Sequence, residues 1–295
     1  MRKAVVVGAG PAGISAAVYL VRSGIEVTVI YRDKGALGKT NHIANYYGFP
    51  ETITGTELFE RGVLQAKNLG VRVVEDEVVA LEYGDANLCV RTNGGEYGGD
   101  VVILATGASR MAPKIEGLKT FEGRGVSYCA VCDAFFYRGK EVVVIGNGSY
   151  AFHEARVLAQ TSKSVRIVTM GLEPTFHVEE CAQNIEIDKR KVVRIQGNDC
   201  VESIAFDDGS CLSVAGVFLA IGVAGSADFA KKVGAETDGP RILTDENCAT
   251  TVPGLYVVGD CNGGMLQIAK AVYEGAKAAL HAVKAMKAAE KATEA

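Results

Sequence analysis

A chain of 295 residues, 48% apolar and 22% charged, is long enough for two folded bodies and lies outside the composition of disordered segments. Its net charge of −4 excludes the broad basic footprint of a nucleic-acid binder. The eight cysteines are scattered with one closely spaced pair, which argues against a disulfide-stapled secreted domain and for the cytoplasm.

Arg2 and Lys3 precede a mostly apolar run over residues 4–21 that imitates a secretion signal. Gly8, Gly10, Pro11 and Gly13 break it too often for an export signal or a membrane span, and no other segment reaches spanning length.

Residues 3–8 predict a buried parallel strand, 11–23 a helix and 26–31 the next strand, which together make a βαβ unit. Its turn, Gly8-Ala9-Gly10-Pro11-Ala12-Gly13, follows a strand and opens a helix, the setting a dinucleotide fingerprint requires. Gly8 permits the tight turn, Gly10 lets a pyrophosphate reach the backbone, and Gly13 lets the helix pack on the strand. Free N–H groups and the helix dipole then face phosphate. The weaker reading is a tight βα turn without a ligand. Tyr31 stands where an acid would hold an adenosine ribose, so the adenine end is unassigned.

Residues 101–107 form a second apolar run that ends in Ala105, Thr106 and Gly107, followed by the Pro-bearing segment 110–113. Cys129-Ala130-Val131-Cys132 is the one CxxC, with Asp133 directly after it. Two thiols at this spacing can close a small disulfide ring, and the carboxylate can relay the proton that thiol exchange consumes or releases. A zinc site would need a second ligand pair, and neither another CxxC nor suitably spaced histidines are present, so no metal is expected.

The βαβ grammar returns at residues 140–146, 149–160 and 165–169, predicting an α/β fold of two Rossmann-like, three-layer nucleotide-binding domains. The second turn, Gly146-Asn147-Gly148-Ser149-Tyr150-Ala151, is a damaged fingerprint in which Tyr150 and Phe152 crowd the helix start. Residues 170–174 supply neither an arginine for the 2′-phosphate of NADPH nor a strand-end acid for NADH. It reads as a fold element kept without its ligand.

A further strand over 217–222, a Pro-bearing segment at 237–240 and a strand over 254–260 complete the pattern. Gly259-Asp260 puts a carboxylate at the C-terminal edge of a parallel sheet, where such sheets bind ligands; alone it would read as a helix N-cap. A helix follows from residue 266, and the Ala/Lys/Glu-rich tail 276–295 continues it. If the two Pro-bearing segments are paired linkers, residues 113–240 form an inserted domain and residues 1–112 and 241–295 together form the other, an arrangement that allows a hinge. Cys89, Cys181, Cys200, Cys211 and Cys248 read as packing residues, and Cys261 has no assigned role.

In this order the motifs resemble the low-molecular-weight flavin thioredoxin reductases over nearly the whole chain, with the CxxC at the entrance of the inserted domain. The resemblance implies FAD held at the pyrophosphate by Gly8, Gly10 and Gly13 and on the ribityl chain by Asp260, with Pro11, Ala12, Ala105, Thr106, Gly107 and Gly259 also binding the cofactor. Gln267, Ile268 and Ala269 match the region near the isoalloxazine, and Thr40, Asn41 and Asn45 match a loop along the flavin. Cys132 is then the thiol facing the flavin, Cys129 the thiol that attacks the thioredoxin disulfide, and Asp133 the acid/base.

NADPH-dependent members carry a GGGNSA-like loop, a Glu pair and a His-Arg-Arg…Arg cluster. Here His153-Glu154 replaces the pair, the cluster is missing, and the inserted domain is short between residues 165 and 216. That departure resembles the ferredoxin-dependent flavin thioredoxin reductases, which implies thioredoxin as substrate, ferredoxin as donor and a homodimer. NADPH-dependent reduction and an FAD-dependent dithiol oxidase that hands electrons to oxygen are the alternatives; a non-catalytic flavin or zinc protein would leave thioredoxin untouched.

Overall fold

The computed structural model describes residues 2–84, 87–107, 113–128, 130–221, 226–238 and 241–293; of residues 131, 132, 241, 292 and 293 only the backbone is described. The chain divides into two units, Met1–Ser109 with Gly225–Ala295, and Arg110–Ala224.

In the first unit five parallel strands lie in the spatial order Leu255–Val257, Val101–Leu104, Lys3–Val7, Glu26–Tyr31 and Arg72–Glu75. Strands Lys3–Val7, Val101–Leu104 and Leu255–Val257 are mostly apolar and buried at almost every position, as a sheet covered on both faces demands. Helices Pro11–Arg22, Gly55–Asn68 and Ile268–Thr293 belong to this unit. The first and last of these approach so closely that an ideal Cβ on Gly275 would stand 2.1 Å from the Ala12 carbonyl oxygen. An antiparallel sheet of Val78–Tyr83, Leu88–Thr92 and Glu96–Gly99 adjoins the parallel one, Gly99 lying against Val5.

The second unit repeats this plan. Its parallel order is Ile185–Asp188, Ser164–Val168, Glu141–Ile145, Gly216–Leu219 and Val126–Ser127, and its antiparallel sheet is Val192–Gly197, Val201–Phe206 and Cys211–Ser213. Helix Ser149–Ala159 follows strand Glu141–Ile145 as helix Pro11–Arg22 follows strand Lys3–Val7. Each unit has its own apolar core.

The second crossing between units falls at residues 224–225, not at the Pro240 segment the sequence suggests. Helix Ser226–Lys232 is tied to the first unit through Ser226, whose hydroxyl lies 2.7 Å from that of Thr106 and whose N–H donates to the Thr106 hydroxyl. Tyr83 donates to the Val233 carbonyl at 2.9 Å, and Thr237–Asp238 pairs with Arg241–Ile242 as an antiparallel ribbon within the same unit. Specific long-range bonds thus overrule proline as a linker signal. Pro240 and residues 110–112 lie outside the described residues.

Candidate functional site

The first glycine loop is set by contact on one side and left open on the other. Gly8 has φ +114°, and a Cβ there would sit 2.2 Å from the Ala105 carbonyl oxygen; at Gly13 it would sit 1.9 Å from the Gly8 carbonyl oxygen. Only glycine fits either position. At Gly10, by contrast, a Cβ would meet nothing within 4 Å, so the space in front of the loop is free for a ligand. The helix behind it has Pro11 in its first turn and no side-chain cap on Gly10, which leaves the first-turn N–H groups and the dipole for an anion.

Ala105 reaches Gly8 because its N–H bonds to the Val7 carbonyl, and Gly259 reaches Ala12, where an added Cβ would lie 2.9 Å from the Ala12 Cβ. The fingerprint, Ala105–Gly107 and Gly259-Asp260 therefore converge at the C-terminal edge of one sheet. Among the described residues the half-buried Asp260 carboxylate has no hydrogen-bond or ion-pair partner, so its oxygens are available to the hydroxyls of a polyol. An open anion cradle next to such a carboxylate fits a flavin dinucleotide.

Lys270 and Glu274, one helical turn apart on helix Ile268–Thr293, fix this edge. Lys270 donates to the Gly259 carbonyl at 2.8 Å and to that of Gly263, and pairs with Glu274 at 3.0 Å. Glu274 accepts from the Gly259 N–H at 2.8 Å and from the Asn262 amide at 3.2 Å. Both side chains are 13% exposed, and a pair this shielded persists only where hydrogen bonds satisfy it. Reading the sequence missed them, although an i,i+4 Lys/Glu pair in the first turns of a helix after Gly-Asp was a visible signal.

Asn45 donates its amide to Gln267 at 3.1 Å, joining the two segments expected along the flavin. Thr40 holds its own loop: its hydroxyl donates to the Ala36 carbonyl, and its carbonyl accepts from Gly55 N–H. Asn41 is exposed, and Ile268 and Ala269 open the last helix. A cleft of about 480 Å³, lined among others by Gly10, Pro11, Tyr46, Phe49 and Ile268, runs beside the loop. At the adenine end Tyr31 donates to Glu75 at 3.1 Å, in register on the neighbouring strand; burial and this carboxylate push its phenol up. An acid is thus present at that edge, supplied by a strand the motif does not include.

Cys129 and the Cys132 side chain lie outside the described residues, but their frame is described. Strand Val126–Ser127 leads in and helix Ala130–Asp133 follows. Ser127 donates to the Asp133 carboxylate at 2.6 Å, Tyr150 donates to the Tyr128 carbonyl at 3.2 Å, and the Ala130 N–H donates to the Glu154 carboxylate at 2.7 Å. Tyr137 packs edge-on against Phe218, its phenol pushed up by burial and then by the charges of Asp133 and Cys200.

The second glycine loop keeps the turn but not the opening. Gly146 has φ +157°, and a Cβ there would meet the Ala220 carbonyl oxygen at 2.1 Å, as Gly8 meets Ala105. Tyr150, which opens the helix after the loop, is 1% exposed. The chain after the second strand folds back on the loop: Asn147 donates to the Glu173 carbonyl at 3.1 Å, Thr175 N–H to the Asn147 carbonyl at 2.8 Å, and Phe176 stacks on Phe152 at 4.8 Å. Two arginines near this edge, Arg190 and Arg166, are engaged by Asp188 and Glu186, and Lys189 pairs with Glu173.

Of the cysteines read as packing residues only Cys248 is buried, its thiol pushed up to about 11 by burial and then by Glu274. Cys200, in the turn between strands Val192–Gly197 and Val201–Phe206, and Cys211, on strand Cys211–Ser213, are exposed, a correction to that expectation, and Cys89 and Cys181 are half-buried. Cys261 donates to the Val258 carbonyl at 3.1 Å, and burial raises its thiol.

Residues 2–275 match the family model described as pyridine nucleotide-disulphide oxidoreductase. A thioredoxin reductase of Aquifex aeolicus (strain VF5) is 38% identical over 293 residues, covering 94% of this chain and 90% of the relative. The crystal structure of the atypical thioredoxin reductase TRi from Desulfovibrio vulgaris Hildenborough superposes with a TM-score of 0.92 at 41% identity, covering 97% of this chain and 98% of that one. A ferredoxin-flavin thioredoxin reductase from Clostridium acetobutylicum does so with a TM-score of 0.72 at 30% identity, covering 97% and 98%.

Proposed function

We propose, for a chain that belongs to the pyridine nucleotide-disulphide oxidoreductases and within them to the low-molecular-weight thioredoxin reductases, that it reduces thioredoxin with electrons from reduced ferredoxin rather than from a nicotinamide nucleotide. It is an FAD-dependent enzyme. The bound flavin supplies an electron pair to the dithiol. Gly8, Gly10, Pro11, Ala12 and Gly13 hold the pyrophosphate, Asp260 the ribityl hydroxyls, and Asn45 with Gln267 the ring end, the edge being kept in place by Lys270 and Glu274.

In this reading the Cys129 thiolate attacks the thioredoxin disulfide, forming a mixed disulfide and releasing one thioredoxin thiolate. Cys132 then attacks Cys129, which forms the Cys129–Cys132 disulfide and frees the second thioredoxin thiol. Asp133, held by Ser127, delivers the protons, and two electrons return the pair to its thiols. The inserted unit, residues 110–224, carries the pair as an NAD(P)-binding-like domain without a nicotinamide nucleotide, in a homodimer of the cytoplasm.

One observation carries the donor half of the reading. The mouth of the second loop is occupied by the chain itself, through Asn147, Phe152 and residues 173–176, and its arginines are already paired. The relation to a ferredoxin-flavin thioredoxin reductase points the same way. The preserved Gly146 turn favours the second reading, in which NADPH is the donor. Steady-state thioredoxin reduction separates them: turnover with reduced ferredoxin and none with NADPH or NADH is the result expected, and NADPH-driven turnover establishes the second reading.

A further inference from the structure

We infer that Tyr150 and Glu154 are positioning residues that clamp the redox turn, so that the helix which has lost its nucleotide is retained as the mount of the dithiol. The inference rests on the proposed function, since it takes Cys129 and Cys132 as the working pair.

Helix Ala130–Asp133 has four residues, too few to build the ladder of i→i−4 bonds that makes a helix self-supporting. Strand Val126–Ser127 before it has two. Neither can fix the chain around the cysteines, so side chains from elsewhere must. Residues 150 and 154 are one turn apart and share a face of helix Ser149–Ala159. The Tyr150 hydroxyl donates to the carbonyl of residue 128 at 3.2 Å, and the Glu154 carboxylate accepts the N–H of residue 130 at 2.7 Å. They grip the chain on either side of Cys129. Ser127 and Asp133, joined at 2.6 Å, close the frame around residues 128–132.

Both clamp side chains are 1% exposed. Burying a carboxylate is costly unless hydrogen bonds satisfy it, and this one satisfies a peptide N–H inside the CxxC. Disulfide closure needs the two Cβ atoms within a narrow range of separation, so slack at residues 128 and 130 would lower the rate of exchange and shift its equilibrium. Tyr150 stands in the first turn of the helix that follows the second glycine loop, so the helix start that faces a nucleotide in the first unit is here joined to the redox turn.

The test uses the flavin-loaded full-length chain as wild type, Tyr150→Phe, Glu154→Gln and Glu154→Leu. Each is prereduced and mixed with oxidised thioredoxin, and thiol transfer is followed by rapid acid quench and alkylation; the Cys129–Cys132 equilibrium with dithiothreitol is measured separately. Tyr150→Phe should slow transfer roughly five-fold, the worth of one neutral hydrogen bond, with flavin content and melting temperature nearly unchanged. Glu154→Leu should slow it on the order of a hundred-fold, while Glu154→Gln, whose amide oxygen still accepts the N–H, should recover most of the loss. Equal damage from Gln and Leu would overturn the inference, since the carboxylate would then act through its charge. Wild-type rates in Tyr150→Phe would overturn it too, and that variant decides the matter if Glu154→Leu does not fold. Should wild-type protein form the Cys129–Cys132 disulfide yet leave thioredoxin oxidised, the functional reading fails. The clamp is then judged by the dithiothreitol equilibrium, which must shift in Tyr150→Phe if it exists and stays put if it does not.

Discussion

Each unit places the same glycine turn at the C-terminal edge of its own five-stranded parallel sheet, but the surroundings of the two turns differ. Gly8 and Gly146 both have positive φ, and both lie against the carbonyl of an alanine directly after the adjacent strand, Ala105 or Ala220. Beyond the turn they part. The first loop leaves Gly10 facing open space, while the second is covered by residues 173–176. A glycine in a βα turn therefore reports how the backbone must bend. Whether a phosphate binds there is decided by what stands opposite the loop.

The two loops should differ most at Gly13. Gly13→Ala should abolish flavin binding, because its Cβ would press on the Gly8 carbonyl at 1.9 Å, whereas Ala151→Gly at the equivalent place should cost only about 1 kcal/mol of helix propensity. Flavin absorbance of desalted protein and a melting curve check both. Gly146→Ala comes next: with 2.1 Å to the Ala220 oxygen it should destabilise the second unit by roughly 2–4 kcal/mol in urea unfolding while the folded fraction keeps its flavin. Loss of flavin in Gly146→Ala, or its retention in Gly13→Ala, would show that the loops are not assigned as argued.

A smaller effect sharpens the role of the engaged arginines. The Arg190 guanidinium beside Asp188 holds that carboxyl below its usual range. Because the native value is the lower one, the stabilisation is complete above the ordinary carboxylate range and is lost as pH falls through the native value. Asp188→Asn should therefore flatten the acid limb of stability of the second unit, and an unchanged limb in a pH series of melting curves would contradict the pairing. Smallest of all, maleimide at mildly alkaline pH should label the exposed Cys200 and Cys211 and spare Cys248, whose thiol burial pushes up to about 11, with mass spectrometry locating the adducts.

Much of this was legible beforehand because βαβ units announce themselves locally, through β-branched runs, glycine turns and a helical period that can be read within thirty residues. The convergence of Gly8, Ala105 and Asp260 followed from where parallel strands end. What escaped depends on partners far apart in the chain. The boundary at residues 224–225 rests on Ser226 reaching Thr106 and Tyr83 reaching Val233, and neither bond leaves a local trace. Glu75 faces Tyr31 only through strand register, and Tyr150 read as mere bulk because its hydroxyl's partner, residue 128, belongs to another element.

Anaerobic stopped-flow absorbance of the enzyme's flavin tests whether the second loop has lost its nicotinamide nucleotide. Mixed with micromolar NADPH the flavin band should persist, and mixed with reduced ferredoxin it should bleach and then recover as oxidised thioredoxin is added. Rapid bleaching by NADPH, with thioredoxin reduced at a matching rate, would contradict the account and make the covered loop a working nucleotide site.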